Sequence, residues 1–151
     1  MRLIVALSAV VALLVPVVPC RAVPIAPGQL TPSDVCGTCH RDIFRAWRSS
    51  AHANSMGGVV FLGIFRDLQA HEGPEAGRIC LSCHAPFAGL AHDETLEKQI
   101  TWEGVGCDAC HSLVSVEPSA SGATQVFEPG PVKRGPIRDA ESRAHDVAYS
   151  E

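Results

Sequence analysis

The sequence predicts a mainly helical fold with much irregular loop and few or no strands. Aromatic residues make up only 5% of the 151 residues, while 13 glycines and 11 prolines interrupt helices and strands. The apolar fraction is 46%, but apolar residues fill nearly all of positions 3–18, so the rest of the chain has few side chains for a dry core. The length allows one compact domain, and we expect something other than side chains to complete its core.

The N-terminus has the pattern of an export signal. Arg2 precedes an apolar run from position 3 to 15, and Ala22 offers a small residue for cleavage after Pro16 breaks the run. The predicted organisation is a signal peptide at 1–22 and one domain at 23–151.

Two alternatives for this segment stay open, and both would keep the protein at the membrane. An uncleaved anchor is disfavoured because the run is shorter than the roughly 20 apolar residues of a bilayer span. A lipoprotein site at Cys20 is disfavoured because Pro19 stands where a small residue is needed. We therefore expect a periplasmic protein with no stable membrane insertion after cleavage.

The chain is acidic, with a formal net charge of −4. Loss of Arg2 and Arg21 with the signal would increase the excess of acidic residues. This charge disfavours nucleic acid and anionic lipid surfaces as partners and favours docking to a basic patch on another protein.

Six cysteines form three pairs of identical spacing, and each pair is followed directly by histidine. The three motifs are Cys36-Gly-Thr-Cys39-His40, Cys80-Leu-Ser-Cys83-His84 and Cys107-Asp-Ala-Cys110-His111. With seven histidines in 151 residues, chance would rarely place one after all three pairs. This is the attachment signature of c-type haem.

The spacing has a chemical reason. Two thiols three positions apart on one helical turn can each form a thioether to a vinyl group of the same haem, and the following imidazole then binds the iron. A zinc knuckle, a disulfide pair or a thioredoxin-like redox pair is the alternative for an isolated Cys-x-x-Cys. The sequence thus predicts three covalently attached haems c, which would supply the missing core, with short helices around each motif.

Two helical patterns lie between the first two motifs. Residues 41–56 have Ile43 and Trp47 at i, i+4 spacing, and Gly57 follows. A second pattern has Val60, Ile64 and Leu68 on one face and breaks after residue 72.

Four further histidines are candidates for the second axial position on an iron. His52 lies on a stripe of arginines along the predicted 41–56 helix, and such a stripe suits both solvent and anionic haem propionates. His92 follows His84 by eight residues and is either a ligand to a neighbouring haem or exposed. His71 fits a helix-capping role better. His145 lies in the C-terminal tail.

The residues around these motifs resemble the multihaem cytochrome c family typified by the tetrahaem electron acceptor of hydroxylamine oxidoreductase. The likeness rests on three passages: the first motif with Trp47-Arg48-Ser49-Ser50-Ala51-His52-Ala53, the third motif with Trp102-Glu103-Gly104-Val105-Gly106 before it, and Gly135-Pro136-Ile137 with Ala144-His145-Asp146-Val147-Ala148-Tyr149-Ser150. The resemblance implies a haem-packed helical fold, mostly bis-histidine iron, and axial roles for His52 and His145. Only three motifs are present where the family typically has four or more, so we expect the natural chain to continue beyond Glu151.

The resulting hypothesis is a periplasmic electron carrier that passes electrons through three closely packed haems to redox proteins with a basic docking patch. The alternative is a multihaem oxidoreductase in which one iron has an open position for a small nitrogen compound or peroxide. The bis-histidine iron that the resemblance implies favours the carrier, because two imidazoles leave no position for a substrate.

Overall fold

The computed structural model describes residues 25–26, 28–119 and 122–150; the predicted signal peptide at 1–22 lies outside them. Its helices are short except for one. They are α1 (Ser33–Gly37), α2 (Arg41–Arg48), α3 (Val59–Glu72), a 3-10 turn (Pro74–Gly77), α4 (Arg78–His84), α5 (Phe87–Ala91), α6 (Gln99–Trp102) and α7 (Cys107–His111). In the described part of the chain, no helix is both long and apolar enough to cross a membrane.

The prediction of few or no strands is wrong for the C-terminal third. Strands β1 (Leu113–Ser119) and β2 (Gly122–Phe127) form an antiparallel hairpin, and β3 (Val132–Gly135) pairs in parallel with β4 (Asp146–Tyr149). Sequence-based reasoning missed them because each strand is short and the second pair joins segments separated by a loop, a pairing that local patterns do not specify.

The predicted helix at 41–56 is also shorter than expected. Helix α2 ends at Arg48, where the Ser49 hydroxyl donates to the carbonyl of Ala46 at 3.0 Å. The Asn54 side-chain amide then donates to the Ser50 carbonyl at 2.8 Å, which holds the chain in turns. His52 therefore lies in this turn segment and not on the helix.

Helix α3 confirms the second helical pattern and its break after residue 72, because Gly73 has φ +90, a conformation that favours glycine. Its buried face is not the predicted one, however. Phe65 is buried, whereas Val60 and Ile64 are 71% and 64% exposed.

The described core is small and lies where α3, α4 and α5 meet. It consists of Met56, Phe65, Leu81, Ala85 and Ala88, with Phe61, Cys80 and Leu96 packed against it. Six large aliphatic side chains are between 64% and 85% exposed: Ile43, Val59, Val60, Ile64, Ile79 and Ile137. Side chains alone therefore leave much apolar surface uncovered, as expected for a protein that packs around a further apolar group.

Candidate functional site

Each Cys-x-x-Cys-His motif lies on a helical turn, as the sequence predicts. Cys80 and Cys83 lie in α4, which ends at His84, and Cys107 and Cys110 lie in α7, which ends at His111. In the first motif α1 ends between the cysteines, but the His40 amide still donates to the Cys36 carbonyl at 2.9 Å, which continues the turn. All three motifs thus have two sulfurs and one imidazole on consecutive turns of backbone.

Backbone carbonyls orient two of the three motif imidazoles. The Nδ1 atom of His84 donates to the Ser55 carbonyl at 2.8 Å, and Nδ1 of His111 donates to the Arg134 carbonyl at 2.5 Å. When Nδ1 carries the proton, Nε2 of a neutral imidazole has its lone pair free for a metal. These two bonds therefore leave the Nε2 atoms of His84 and His111 available to bind iron.

The His84 ring is further held by an aromatic neighbour. The Phe61 ring stacks on it with 3.9 Å between ring centroids and 5° between planes. The Ser55 hydroxyl also donates to the His84 carbonyl at 2.6 Å. Phe61 and Ser55 were not predicted as site residues: a carbonyl acceptor has no residue-type signal, and the pairing of residue 61 with residue 84 depends on the tertiary fold.

The first and third motifs line one cavity of about 330 Å³. Its wall includes Cys36, His40, Cys107, His111 and His145, together with apolar side chains from α2 and the C-terminal strands. The second motif lies outside this cavity, beside the core of α3, α4 and α5.

His145 and His40 are neighbours in the wall of this cavity. The centroids of the two imidazole rings are 6.3 Å apart and their planes are inclined by 40°. Histidine nitrogens bind transition metals at about 2.0–2.1 Å and the ring centre lies about 1.1 Å farther, so two imidazoles on opposite sides of one metal have centres roughly 6.3 Å apart. The pair therefore has the separation that a shared iron requires.

The other predicted ligands lie elsewhere. His52 is exposed in the turn after α2, and its carbonyl accepts from the Val105 amide at 3.1 Å. His92 is exposed at the end of α5 with φ 50. His71 is exposed in the last turn of α3, where Nδ1 donates to the Asp67 carbonyl at 2.8 Å. Exposure does not separate ligands from other histidines in this chain, because His40 and His111 are exposed as well.

The attachment cysteines differ in their surroundings. Cys36, Cys80, Cys83, Cys107 and Cys110 have free thiols. These five thiols are predicted attachment sulfurs.

Cys36 and Cys107, from different motifs, share a hydrogen bond. This bond, with burial, strongly raises the pKa of Cys36, whereas the same bond, with one from Ser33, lowers the pKa of Cys107 to about 6. The first cysteines of the first and third motifs therefore lie close together, and both line the same cavity.

A buried ion pair fixes the third motif against the strands. Asp108, between the two cysteines of that motif, is 1% exposed and bonds to the Lys133 ammonium of β3 at 2.5 Å. Its second carboxylate oxygen accepts from the Thr31 amide at 2.8 Å, and Lys133 also donates to the Thr31 hydroxyl at 2.9 Å. This network connects the segment before α1, helix α7 and strand β3, which together surround the cavity.

The residues present fit a haem. Apolar side chains dominate the cavity wall, which also includes two neighbouring imidazoles and attachment cysteines. One guanidinium nitrogen of Arg134, a residue of the same wall, is buried without a hydrogen-bond partner. The apolar ring of a haem can pack against this wall, and a haem carboxylate can accept a hydrogen bond from the unpartnered nitrogen.

Comparisons with known proteins agree with this chemistry. Residues 35–112, about half of the chain, match the family described as cytochrome c554 and c-prime. A penta-haem cytochrome c552 from Thermochromatium tepidum shares the fold, with a TM-score of 0.58 and 24% identity over 82% of this chain and 42% of that one. The chain thus spans less than half the length of that cytochrome. A search of curated proteins found no match. The chain belongs to the cytochrome c554 and c-prime family, and its cofactor is covalently bound haem c.

Proposed function

We propose that this protein is a periplasmic electron carrier with three covalently attached haems, one on each Cys-x-x-Cys-His motif. The observation that supports it most is the common geometry of the motifs: each has its sulfurs and imidazole on a helical turn. A haem c supplies an iron that changes between ferric and ferrous states and so carries one electron.

His40 and His145 are the two axial ligands of the first iron in this proposal. Their 6.3 Å ring separation supports this assignment. The Nδ1 atom of His145 donates to the Asp146 carbonyl at 3.2 Å, which leaves Nε2 for the metal. Two imidazoles leave no position for a substrate, so the first haem serves electron transfer alone. His52 and His92 remain the proposed sixth ligands of other irons.

The first and third haems form the closest pair of the proposed electron path. Cys36, His40, Cys107 and His111 all line the same cavity. An electron that enters at one of these two motifs therefore has a short route to the other. His84, beside a separate core, provides the third position on the path.

The partner in this proposal is a redox protein with a basic docking patch. The net charge of −4 supports attraction to such a surface, and association should weaken as salt screens it. The resemblance to the electron acceptor of hydroxylamine oxidoreductase supports a donor enzyme as that partner. Export to the periplasm rests on the pattern of residues 1–22.

Intact-mass measurement of the purified protein under denaturing conditions, together with its absorbance spectrum, tests the haem number. The proposal expects the polypeptide mass plus three haems, with cleavage near Ala22, and full reversible reduction by dithionite. A colourless protein containing zinc, or one that keeps fewer than three haems after full maturation, would overturn it.

A second candidate is an oxidoreductase with one open iron. Among the described residues, His40 is the motif histidine whose ring contacts another histidine ring, while the aromatic contact of His84 is Phe61. If the iron of His84 or His111 has a free position, cyanide or nitric oxide should bind to the ferric protein and change its spectrum. A spectrum unchanged by both ligands would exclude this candidate.

A further inference from the structure

Arg134 has an unused donor beside the proposed haem cavity. Its Nη2 atom bonds to a Glu128 carboxylate oxygen at 2.8 Å, whereas Nη1 is buried and has no hydrogen-bond partner. The side chain is only 18% exposed. A buried cationic nitrogen without a partner is unfavourable, because it has lost its water without gaining an acceptor.

The neighbouring cation in the cavity wall is already satisfied. The Lys133 ammonium bonds to the Asp108 carboxylate and to the Thr31 hydroxyl. Arg138, farther along the chain, lies 4.0 Å over the Tyr149 ring. Among the described residues of the wall, Arg134 is therefore the cation that has a buried nitrogen without a hydrogen-bond partner.

The position of Arg134 relative to the motifs indicates what that ligand is. Its own carbonyl holds Nδ1 of His111, and its side chain shares the cavity wall with His40 and His145. A planar guanidinium can bind the two oxygens of a carboxylate through two parallel N–H donors. Each haem has two propionate carboxylates at the edge of an otherwise apolar ring.

We propose that the Arg134 guanidinium binds a haem propionate in this cavity and thereby raises the reduction potential of that haem. The inference rests on the proposed function, since it requires a haem at the first or third motif. A bound cation near the iron disfavours the ferric state, which has one more positive charge than the ferrous state.

The test is a spectroscopic redox titration of haem-loaded Arg134→Gln. The substitution keeps the backbone carbonyl that holds His111. It removes the positive charge and the paired N–H donors of the guanidinium. The reduction potential of one haem should fall by about 59 mV, which corresponds to a tenfold change in the ferric–ferrous equilibrium for one electron. Arg66→Gln is the matched control, because Arg66 is exposed on α3 and loses the same charge. Equal potentials in the two variants would overturn the proposal.

A free anion from solution is the other source of a carboxylate-like partner. If the shift in Arg134→Gln is the same in chloride, sulfate and acetate buffers over a tenfold concentration range, a haem carboxylate is the ligand. A shift that appears only at high anion concentration would overturn the proposal in favour of a solution anion.

Two further measurements keep the outcomes distinct. Intact mass is measured for the unaltered protein and for both variants, and the potentials are compared at equal haem number. Absence of haem from the unaltered protein overturns the proposed function, whereas an unshifted potential in a haem-loaded Arg134→Gln overturns only the role of Arg134. If Arg134→Gln does not fold, Glu128→Gln replaces it. Glu128→Gln removes the carboxylate that competes for the Arg134 guanidinium, so the reduction potential of one haem should rise. An unchanged reduction potential would contradict the inference.

Discussion

Lys133 and Asp108 form an ion pair that is almost fully buried, with side chains 9% and 1% exposed. Lys133→Ala leaves the Asp108 carboxylate buried without its cation, and we expect a loss of about 3–5 kcal/mol in the free energy of unfolding. Guanidinium denaturation followed through haem absorbance measures it. The double variant Asp108→Asn/Lys133→Met removes both charges and should lose less unfolding free energy.

As a control, Arg45→Ala breaks the exposed pair with Asp42 and should change stability little. Equal effects of Lys133→Ala and Arg45→Ala would refute the structural role of the buried pair.

Gly104 lies against the segment that supports the second motif. It has φ +67, and a Cβ there would be 2.2 Å from the Ser55 hydroxyl and 2.6 Å from the His52 carbonyl. Gly104→Ala should therefore cost about 2 kcal/mol or more in unfolding free energy. Gly63→Ala is the matched control, since its Cβ would meet nothing within 4 Å in the middle of α3, and it should stabilise by about 0.5–1 kcal/mol. Thermal denaturation of both variants checks this, and a neutral Gly104→Ala would contradict the described packing.

The stacking of Phe61 on His84 predicts a spectroscopic effect. Phe61→Leu keeps an apolar side chain but loses a ring contact worth about 0.5–1.5 kcal/mol. We expect all haems to stay attached and the ferric EPR signal of one haem to broaden, because the His84 ring can take more orientations. Val59→Ala, at a residue 85% exposed, should leave the signal unchanged. Identical spectra of the two variants would mean that Phe61 does not position His84.

The role predicted for His52 remains testable in the same way. If His52 is an axial ligand, His52→Ala keeps every haem attached but converts one iron to high spin. His71→Ala is the control, because the position of His71 at the end of its helical pattern predicts a capping residue and not an iron ligand. If His52→Ala has the same number of high-spin irons as the unaltered protein, His52 is not an axial ligand.

The sequence predicts the parts of the site that depend on local spacing. Two cysteines three residues apart require only one helical turn, and α4 and α7 have that turn. The partners of the motif histidines depend on tertiary contacts. The carbonyls of Ser55 and Arg134 have no side-chain signature, because any residue has a carbonyl. The approach of His145 to His40 likewise depends on a fold that brings the C-terminal tail beside the first motif.

The missed strands have the same cause. Strand β4 returns to β3 in parallel, which places Val132 beside Asp146 and Gly135 beside Tyr149. That pairing brings the segment after residue 144 to the cavity, and so determines where His145 lies. Local propensity could not reveal it, since four-residue strands have too little pattern to specify register.

The ferric EPR spectrum of His145→Ala, compared with that of the unaltered protein, tests the central assignment most directly. If His40 and His145 bind one iron, the variant should keep all its haems and convert one low-spin signal to a high-spin signal, which imidazole added to the buffer should restore to low spin. A variant that keeps every low-spin signal of the unaltered protein would show that His145 is not the second ligand and would contradict the assignment.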